Sequence, residues 1–450
     1  MANQVIKIRK GADIKLKGAA PLTIKKDVTS NTYALKPTDF HGVIPKLVVK
    51  QGDNVKAGSI LFYDKYNEAV KFASPVSGEV IEINRGAKRK LLEIVVLADK
   101  EILYESFPAT NPESLSKEQV ISQLCQAGLW PFIRQRPFSV IANPTDEPKS
   151  IFISGFDTNP LAPDYEFILK DKKEELQTAI NALSKLTNGK INIGISSKSS
   201  SSIFNDLKGV QVSSFSGPHP AGNVGVQIHH LDPINKGETV WYLDAQNLLY
   251  IGRLFLHGKH DVSKTIAITG SEAKDPAYFN ILTGIQIESV LENQLTSEST
   301  RIISGNALSG DQVEIKGYLG YYHDQITLLP EVQAPQMFGW ITPNFHKLSF
   351  SRALPSFLFP NKKYELTTSM NGEERAYVVS GQYEKFLPMD IYPVHLIKSI
   401  LTNDIEKMEQ LGIYEVAPED FALCEFACTS KQEVQKIVRE GLDVIQKEFS

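Results

Sequence analysis

The pattern of apolar and polar positions in residues 45–83 predicts a small β-barrel. Short segments in which apolar residues alternate with polar ones are separated by turn residues such as Gly52-Asp53 and Ser77-Gly78. An alternation of period two, interrupted by turns, is typical of short β-strands. Residues 1–26 contain similar short alternations, and we expect their strands to wrap around the barrel.

Strand-like and helix-like patterns alternate between residues 150 and 256. The predicted strands are 150–154, 191–195 and 210–212, and the predicted helices are 166–187 and 199–207. Such alternation is typical of a parallel sheet covered by helices, and it predicts a Rossmann-like α/β unit. A capping-box sequence at Ser116 and Gln119 predicts an amphipathic helix before this unit.

After residue 264 the pattern predicts a smaller α/β unit and then a helical tail. The smaller unit has strands at 265–270 and 300–305 and a helix at 280–295. The tail has helices at 391–411 and 430–449, and the second of these starts with a capping-box sequence at Ser430.

Composition and charge exclude several classes of function. The 450 residues carry a formal net charge of -4, which gives no basis for nucleic-acid binding. Three scattered cysteines are too few for a disulfide framework and fit a reducing compartment. No apolar run approaches the ~20 residues of a spanning helix, and no apolar core follows the basic N-terminus. We therefore expect a cytoplasmic chain without signal peptide or transmembrane segment.

The segment from Ala127 to Phe138 is poorly suited to binding phosphate. A phosphate-binding loop needs glycines, so that backbone N–H groups can approach the anion. Only Gly128 is present, and Pro131 and Pro137 remove two N–H donors. We therefore do not expect a dinucleotide to bind here.

A second segment, Gly217 to Gly225, has three glycines without the G-x-G-x-x-G spacing. We interpret it as a tight loop at a domain junction, and an anion-binding turn stays open as the alternative. His219, His229 and His230 have no acidic or thiolate partner at ligand spacing, and adjacent histidines on a strand would point to opposite faces. No metal site is expected.

Cysteines and aromatic residues of the tail have simple structural interpretations. Cys424 and Cys428 would share one face of a helix, but an iron–sulfur cluster needs four thiolates and only Cys125 remains. We expect a packed pair of thiols. Core packing is also expected for the aromatic stretch, while a patch that docks on partner subunits or at the membrane surface is the alternative. The aromatic stretch comprises Phe338, Trp340, Phe345, Phe350, Phe357 and Phe359.

Residues 45–83 resemble the biotinyl/lipoyl hammerhead domain, in which a lysine at a hairpin tip carries the cofactor. The corresponding residue would be Lys65, but it lies farther from Ser74-Pro75 than the carrier spacing. We interpret the module as a docking scaffold. A biotin or lipoate carrier modified at Lys65 or Lys71 is an alternative.

Several motifs, taken in order along the whole chain, resemble the A subunits of the Na+-translocating NADH:quinone oxidoreductases, the Nqr complexes. More distantly, the chain resembles the C subunit of the Rnf complex and the flavin-binding NADH subunit of complex I. Those relatives have a glycine-rich loop where this chain has residues 130–138, and a Glu-Pro contact where it has Asp157 to Pro160. The motifs are Gly155 to Ala162, Gly217 to Gly222, Arg301 to Gly305, Tyr321 to Gln325, Gly339-Trp340 and Leu387 to Ile391.

The resemblance implies a multidomain α/β fold with four parts. These are a biotinyl/lipoyl-like β-barrel with N-terminal strands (1–100), a Rossmann-like parallel α/β domain (101–257), a β-grasp domain of the soluble-ligand-binding type (258–330) and a C-terminal linker with a helical tail (331–450).

The resemblance also implies membership of a six-subunit complex at the cytoplasmic face of the inner membrane, which oxidises NADH, reduces quinone and exports Na+. The other five subunits would be partners and would hold the NADH site, the flavins and the iron–sulfur centres, so no cofactor is expected on this chain. An autonomous flavin- or NADH-binding oxidoreductase of the Rnf or complex I type is the alternative.

A quinone is a candidate ligand, because the A subunits of this family are linked to quinone binding. A quinone needs an apolar slot with a few donors for its carbonyl oxygens. Two segments offer that mixture, and their candidate contacts are Trp130, Phe132, Arg134, Arg136, Phe138 and His219.

Overall fold

The structure, a computed structural model, describes residues 5–199, 202–332, 344–350 and 352–448. Phe338 and Trp340 of the aromatic stretch, and with them the motif Gly339-Trp340, lie outside the described residues.

Two antiparallel sheets form the barrel, in the orders β3-β9-β8-β5 and β4-β6-β7. Both contribute to one core, in which the rings of Phe62 and Phe72 stack with centroids 4.4 Å apart. The period-two pattern of residues 45–83 therefore correctly predicted strands in this part of the unit, whereas β3 and β9 lie outside it. Two strands, β1 (Val5–Lys7) and β2 (Ile24–Asp27), precede it, and its own strands are β3 (Thr32–Leu35), β4 (Pro45–Leu47), β5 (Asn54–Val55), β6 (Ile60–Asp64), β7 (Lys71–Ala73), β8 (Gly78–Arg85) and β9 (Leu91–Ala98).

A seven-stranded sheet follows, in the order β1-β14-β13-β12-β15-β10-β11. Its first five strands are parallel, and β10 and β11 are added by antiparallel pairs, so the parallel core is confirmed within a mixed sheet. Its central strands are buried on both faces, which explains their continuous apolar runs. The elements are α1 (Lys117–Gln126), β10 (Arg134–Arg136), β11 (Val140–Ile141), β12 (Ser150–Ser154), α2 (Tyr165–Ile168), α3 (Lys173–Leu183), β13 (Ile191–Ser196), β14 (Gln211–Ser216), α4 (Val224–Leu231), β15 (Val240–Asp244) and α5 (Leu248–His257).

The third unit has a six-stranded sheet in the order β19-β18-β20-β16-β17-β2. Its central pair, β16 and β20, is parallel, and both flanking pairs are antiparallel, which is the arrangement of a β-grasp sheet. The elements are β16 (Ser263–Thr269), β17 (Ala277–Leu282), α6 (Ile287–Val290), β18 (Thr300–Ser304), β19 (Asp311–Gln312) and β20 (Gln325–Pro330).

In the described part of the tail, four helices form most of the regular structure, around a second apolar core. They are α7 (Pro393–Leu401), α8 (Ile405–Gln410), α9 (Ala422–Ala427) and α10 (Val434–Glu448). Within the described ranges no helix has the length and apolar character needed to cross a bilayer.

The prediction that the N-terminal strands wrap around the barrel is wrong. Strand β1 pairs in parallel with β14, and β2 pairs in parallel with β17. Each strand extends the edge of a different sheet, so the N-terminal segment ties the second and third units together. Nothing local in the sequence encodes these pairings.

Three predicted helices are also wrong in extent, because left-handed residues interrupt them. Asp171 (φ 65°) separates α2 from α3 inside 166–187, and Asn403 (φ 53°) separates α7 from α8 inside 391–411. Aspartate and asparagine adopt this conformation more readily than most residues. Only α6 forms in 280–295, since Gly284 (φ 76°) ends the β17 segment.

Two further helix predictions are wrong, one in the type of helix and the other in its first residue. The predicted helix 199–207 is, in its described part, a single 3-10 turn at Ile203–Asp206. Ser430 does not cap the last helix: its hydroxyl donates to the carbonyl of Ala376, and α10 begins only at Val434. By contrast, the capping box at Ser116 and Gln119 is present at the start of α1.

Candidate functional site at the carboxyl edge of the parallel sheet

The loops that follow β12 and β14 meet at the carboxyl edge of the parallel strands, where ligands bind in open α/β sheets. Ser154 Oγ donates to the carbonyl of Gly222 at 2.8 Å, and Gly222 N donates to Thr158 Oγ1 at 2.9 Å. A Cβ atom on Gly222 would lie 2.7 Å from Thr158 N. Glycine at 222 therefore permits a close approach that fixes one loop against the other.

His219 lies inside this pair of loops and is 1% exposed. Its Nδ1 lies 3.1 Å from Thr158 Oγ1, and its backbone N–H donates to Asp13. Burial lowers the pKa of His219 to about 4, so its ring is neutral at pH 7. Among the described residues, Nε2 of this ring has no hydrogen-bond partner.

Asp157, in the loop after β12, is the carboxylate most perturbed by this environment. Burial raises its pKa to about 6, with further increase from the charges of Asp244 and Glu419. Two hydrogen bonds of 2.8 Å from Asn159, through its backbone and side-chain nitrogens, act in the opposite direction. A carboxyl group of this kind changes charge close to neutral pH.

Arg134 and Arg136 are two apart on β10 and therefore point to the same face of the sheet. Arg134 donates to both carboxylate oxygens of Asp244, at 2.9 and 2.8 Å. Its guanidinium also lies 4.6 Å from the ring centroids of Tyr242 and Tyr322, within the range of cation–π attraction.

Arg136 has no exposed surface and joins β10 to the tail. Its Nη1 donates to Asp420 at 2.5 Å and to the carbonyl of Glu415, and its Nη2 donates to Glu419 at 2.8 Å. Asp420, itself 1% exposed, also accepts the backbone N–H of Ala417. A buried cation is thus surrounded by acceptors from one short segment.

The pair formed by Arg136 and Asp420 lies directly against the first turn of α4. A Cβ atom on Gly225 would be 2.6 Å from Arg136 Nη1 and 2.6 Å from Asp420 Oδ1. Asn223 Nδ2, just before the helix, donates to the carbonyl of Glu419. The N-terminus of a helix attracts negative charge, and here the tail supplies it as a carboxylate.

The six candidate quinone contacts do not form one cluster. Trp130 and Phe132 have no exposed surface: the indole donates to the carbonyl of Ala142, and Phe132 stacks on Tyr321 at 4.4 Å. Phe138 is half-buried, with its ring 6.4 Å from that of Tyr414. Arg134 and Arg136 share contact with Tyr242, whereas His219 lies in the loop after β14.

Sequence reasoning missed the residues that complete this site, namely Tyr242, Asp244, Tyr322 and Asp420. Asp244 had a usable signal, because a carboxylate that ends a buried strand lies at the carboxyl edge of the sheet. Asp420 had none, since it meets Arg136 across 284 residues of chain.

Comparisons with known proteins match successive parts of the chain to domains of the same family. Residues 6–99 match the NqrA N-terminal barrel-sandwich hybrid domain, residues 115–260 the NqrA second alpha/beta domain, and residues 265–314 the NQRA C-terminal domain. The A subunit of the Na(+)-translocating NADH-quinone reductase of Photorhabdus laumondii is 37% identical over 447 residues, which cover 99% of this chain and 100% of that protein. The chain belongs to this family.

Other members of the NqrA family match over a similar extent. The A subunits from Vibrio anguillarum (37% identity, 99% of this chain, 100% of that protein) and Rhodopirellula baltica (35%, 99% and 98%) are two of them. The resemblance inferred from the motifs is thereby confirmed, and the chain is a subunit of the Na+-translocating NADH-quinone reductase complex, with the other subunits as partners. A solved NAD+-reducing [NiFe]-hydrogenase aligns with 50% of this chain and 49% of its own at 11% identity and a TM-score of 0.37, which supports no inference.

In this member of the NqrA family, the tail cysteines are packed as thiols. Tyr383 donates its hydroxyl to Cys428 Sγ at 2.9 Å, and Cys424 Sγ lies 3.7 Å from the carbonyl of the same tyrosine. Both cysteines are buried, and burial raises the pKa of Cys424. Burial raises the pKa of Cys125, the third thiol, to about 12.

The histidines after the glycine loop lie on a helix, α4, and not on a strand. Their rings are 5.2 Å apart, but His229 contacts Glu415 through Nδ1 at 2.7 Å and the backbone N–H of Asp390 through Nε2. In the part of the chain that the structure describes, no group of three or more histidine, cysteine or acidic side chains is placed to hold a metal ion.

Lys65 lies at the exposed tip of the hairpin between β6 and β7. Its ammonium group is 5.6 Å from the ring of Tyr66, and its backbone N–H donates to Ile44. Lys71 begins β7 and is half-buried.

Proposed function

We propose that this chain serves the Na+-translocating NADH-quinone reductase as a peripheral component on the cytoplasmic face of the inner membrane, without a flavin or iron–sulfur cluster of its own. NADH oxidation and the resident cofactors belong to the other five subunits. The observation that carries the proposal is the match to NqrA proteins from end to end. The complex as a whole couples NADH oxidation and quinone reduction to Na+ export.

The contact between the tail and α4 supports the absence of a nucleotide. A phosphate in a doubly wound fold lies at the N-terminus of a helix, where backbone N–H groups face it. In this chain the Asp420 carboxylate and its Arg136 partner lie against that turn. A bound phosphate would have to displace a buried ion pair.

An absorption spectrum of the purified full chain tests this proposal. We expect a protein spectrum without a flavin or iron–sulfur band. A stoichiometric band of either kind would favour an autonomous oxidoreductase of the Rnf or complex I type. An adduct on Lys65 or Lys71 in the intact mass would instead show a carrier domain.

We further propose that a quinone, if it contacts this chain, does so beside Phe138 at the turn after β10. Phe138 alone of the three aromatic candidates keeps exposed ring surface, and the half-buried hydroxyl of the adjacent Ser139, 2.7 Å from that of Tyr242, is the neighbouring donor. Trp130, Phe132, Arg134, Arg136 and His219 remain secondary candidates, because their side chains are buried or paired within the fold.

A photoreactive quinone analogue can test these contacts in the assembled complex. We expect cross-links within 134–139, and a decrease with Phe138→Ala but not with Phe345→Ala, which removes an exposed phenylalanine elsewhere. Cross-links confined to the His219 loop would move the contact there. Absence of cross-links from both segments would remove all six candidates.

A further inference from the structure

One segment of the chain has a net charge opposite in sign to that of the whole chain. From Val332 to Tyr364 there are four basic residues and no aspartate or glutamate, although the full chain contains 52 acidic residues and has a net charge of -4. The basic residues are Lys347, Arg352, Lys362 and Lys363.

Large apolar side chains in the same segment are exposed. Phe345 is 51% exposed, Phe357 52%, Leu358 60% and Phe359 44%. Core packing, which the sequence led us to expect, holds for Phe350, whose ring lies 5.2 Å from that of Phe386. For the other described phenylalanines of the stretch that expectation is wrong.

Contacts link the exposed rings to three of the cations of this region. Phe345 and Phe359 have ring centroids 6.2 Å apart, and Lys362 Nζ donates to the carbonyl of Phe345 at 2.7 Å. The guanidinium of Arg352 lies 5.9 Å from the Phe357 ring. Lys15, from the N-terminal segment, adds a cation by donating to the carbonyl of Pro360 at 2.8 Å. We call this surface the basic–aromatic patch: Lys15, Phe345, Lys347, Arg352, Phe357, Leu358, Phe359, Lys362 and Lys363.

No cation of the patch is neutralised by a carboxylate within the described ranges of the chain. The nearest ion pair along the sequence is Lys17 with Glu365, at 2.8 Å, one position beyond the bridge between Leu16 and Tyr364. The patch thus ends where acidic side chains resume. Five positive charges thus accompany a group of exposed aromatic and aliphatic side chains.

We propose that the basic–aromatic patch lies against the anionic phospholipid headgroups of a bilayer. Aromatic side chains favour the headgroup region, where their apolar rings leave water, and lysine and arginine are attracted to anionic lipid. A uniformly negative surface matches five cations without a carboxylate, because it needs no individual pairing. A protein partner would have to present complementary carboxylates around an apolar depression.

Vesicle flotation with the full chain tests the proposal. We expect binding to vesicles of phosphatidylcholine with phosphatidylglycerol, weak binding to phosphatidylcholine alone, and loss of binding at high salt. Each lysine or arginine near the surface contributes about 1 kcal/mol, so neutralising three of them should lower the partition coefficient about 100-fold. The test variant is Lys347→Gln with Arg352→Gln and Lys363→Gln.

A matched control is the exposed run Lys88, Arg89 and Lys90 on the barrel. Its triple change to glutamine removes the same charge and should leave binding nearly unchanged. Phe357→Ser with Leu358→Ser should weaken binding even at low salt, because it removes the apolar contact and keeps every cation.

Three outcomes would overturn the proposal. One is equal binding to vesicles with and without phosphatidylglycerol, and a second is an equal loss in the barrel control. The third is a test variant that keeps vesicle binding but no longer binds delipidated membrane subunits, since the patch would then contact protein. The result does not depend on whether the chain carries a flavin, which the absorption spectrum measures separately.

Discussion

Removal of the Asp420 carboxylate should destabilise the contact between the tail and the α/β unit. In Asp420→Ala, Arg136 would keep its bonds to Glu419 and to the carbonyl of Glu415, but would lose its one fully buried counter-ion. Breaking a buried ion pair costs about 3–5 kcal/mol, because it leaves an uncompensated charge. Since Glu419 is 37% exposed and still paired, we expect about 3 kcal/mol, the low end of that range.

Hydrogen exchange of the α10 amides measures this effect locally, which suits a chain with several cooperative units. A loss of about 3 kcal/mol corresponds to exchange about 100-fold faster wherever α10 opens with the contact. Glu433→Ala is a suitable control. It breaks the exposed pair of Glu433 with Lys436, whose side chains are 72% and 66% exposed, and should change stability by less than about 1 kcal/mol.

A double variant separates the unpaired charge from simple loss of packing. If the buried cation causes the loss, Arg136→Met combined with Asp420→Ala should be more stable than Asp420→Ala alone. Strictly additive losses in the double variant would refute the reasoning. So would a loss below about 1 kcal/mol in Asp420→Ala, which is the range of an exposed pair.

Three further substitutions test the loops at the carboxyl edge of the sheet and one buried histidine. Gly222→Ala should lower the free energy of unfolding in urea by about 1–3 kcal/mol, because the new Cβ would lie 2.7 Å from Thr158 N. Gly372→Ala is the control: its Cβ would meet only the flexible side chain of Lys431, and its stability should be nearly unchanged. Asp157→Asn should be stabilising by about 1–2 kcal/mol at pH 7.5 and neutral near pH 4, because the folded pKa of about 6 lies above the unfolded value and ionisation therefore disfavours the native state. The same difference in stability from the wild type at both pH values would contradict this. His260 Nδ1 donates to the carbonyl of Ala127 at 2.7 Å, and burial lowers the pKa of His260 to about 4. Its neutral form therefore stabilises the fold above the unfolded pKa, and this stability should fall as pH decreases from about 6.5 to 4, with a shallower pH dependence in His260→Gln.

The sequence predicted best what depends on neighbouring residues. Strands at 150–154, 191–195 and 300–305 are present because a run of buried β-branched residues encodes its own conformation and length. The capping box at Ser116 is likewise local. Helix ends at Asp171 and Asn403 were missed, since a left-handed aspartate or asparagine leaves no mark in the apolar pattern.

Long-range pairing was not predictable from pattern alone. Strand β1 pairs with β14, which lies more than 200 residues away in the sequence, and β2 pairs with β17 at a similar separation. The same limit applies to the candidate site, where the sequence identified Arg134 and Arg136 but not the carboxylates that neutralise them. Asp244 and Asp420 reach these arginines only through the fold.

The arginines of β10 have a structural role that the sequence obscured. Two cations on one face of β10 suggested a site open to a ligand, but each is paired, one with the end of β15 and the other with the tail. Because Arg136 joins the tail to the first turn of α4, the site that a phosphate would occupy is closed by the same contact that positions the tail. Any ligand that enters this edge must therefore displace the segment 415–420, and its affinity would be reduced by the cost of separating Arg136 from Asp420.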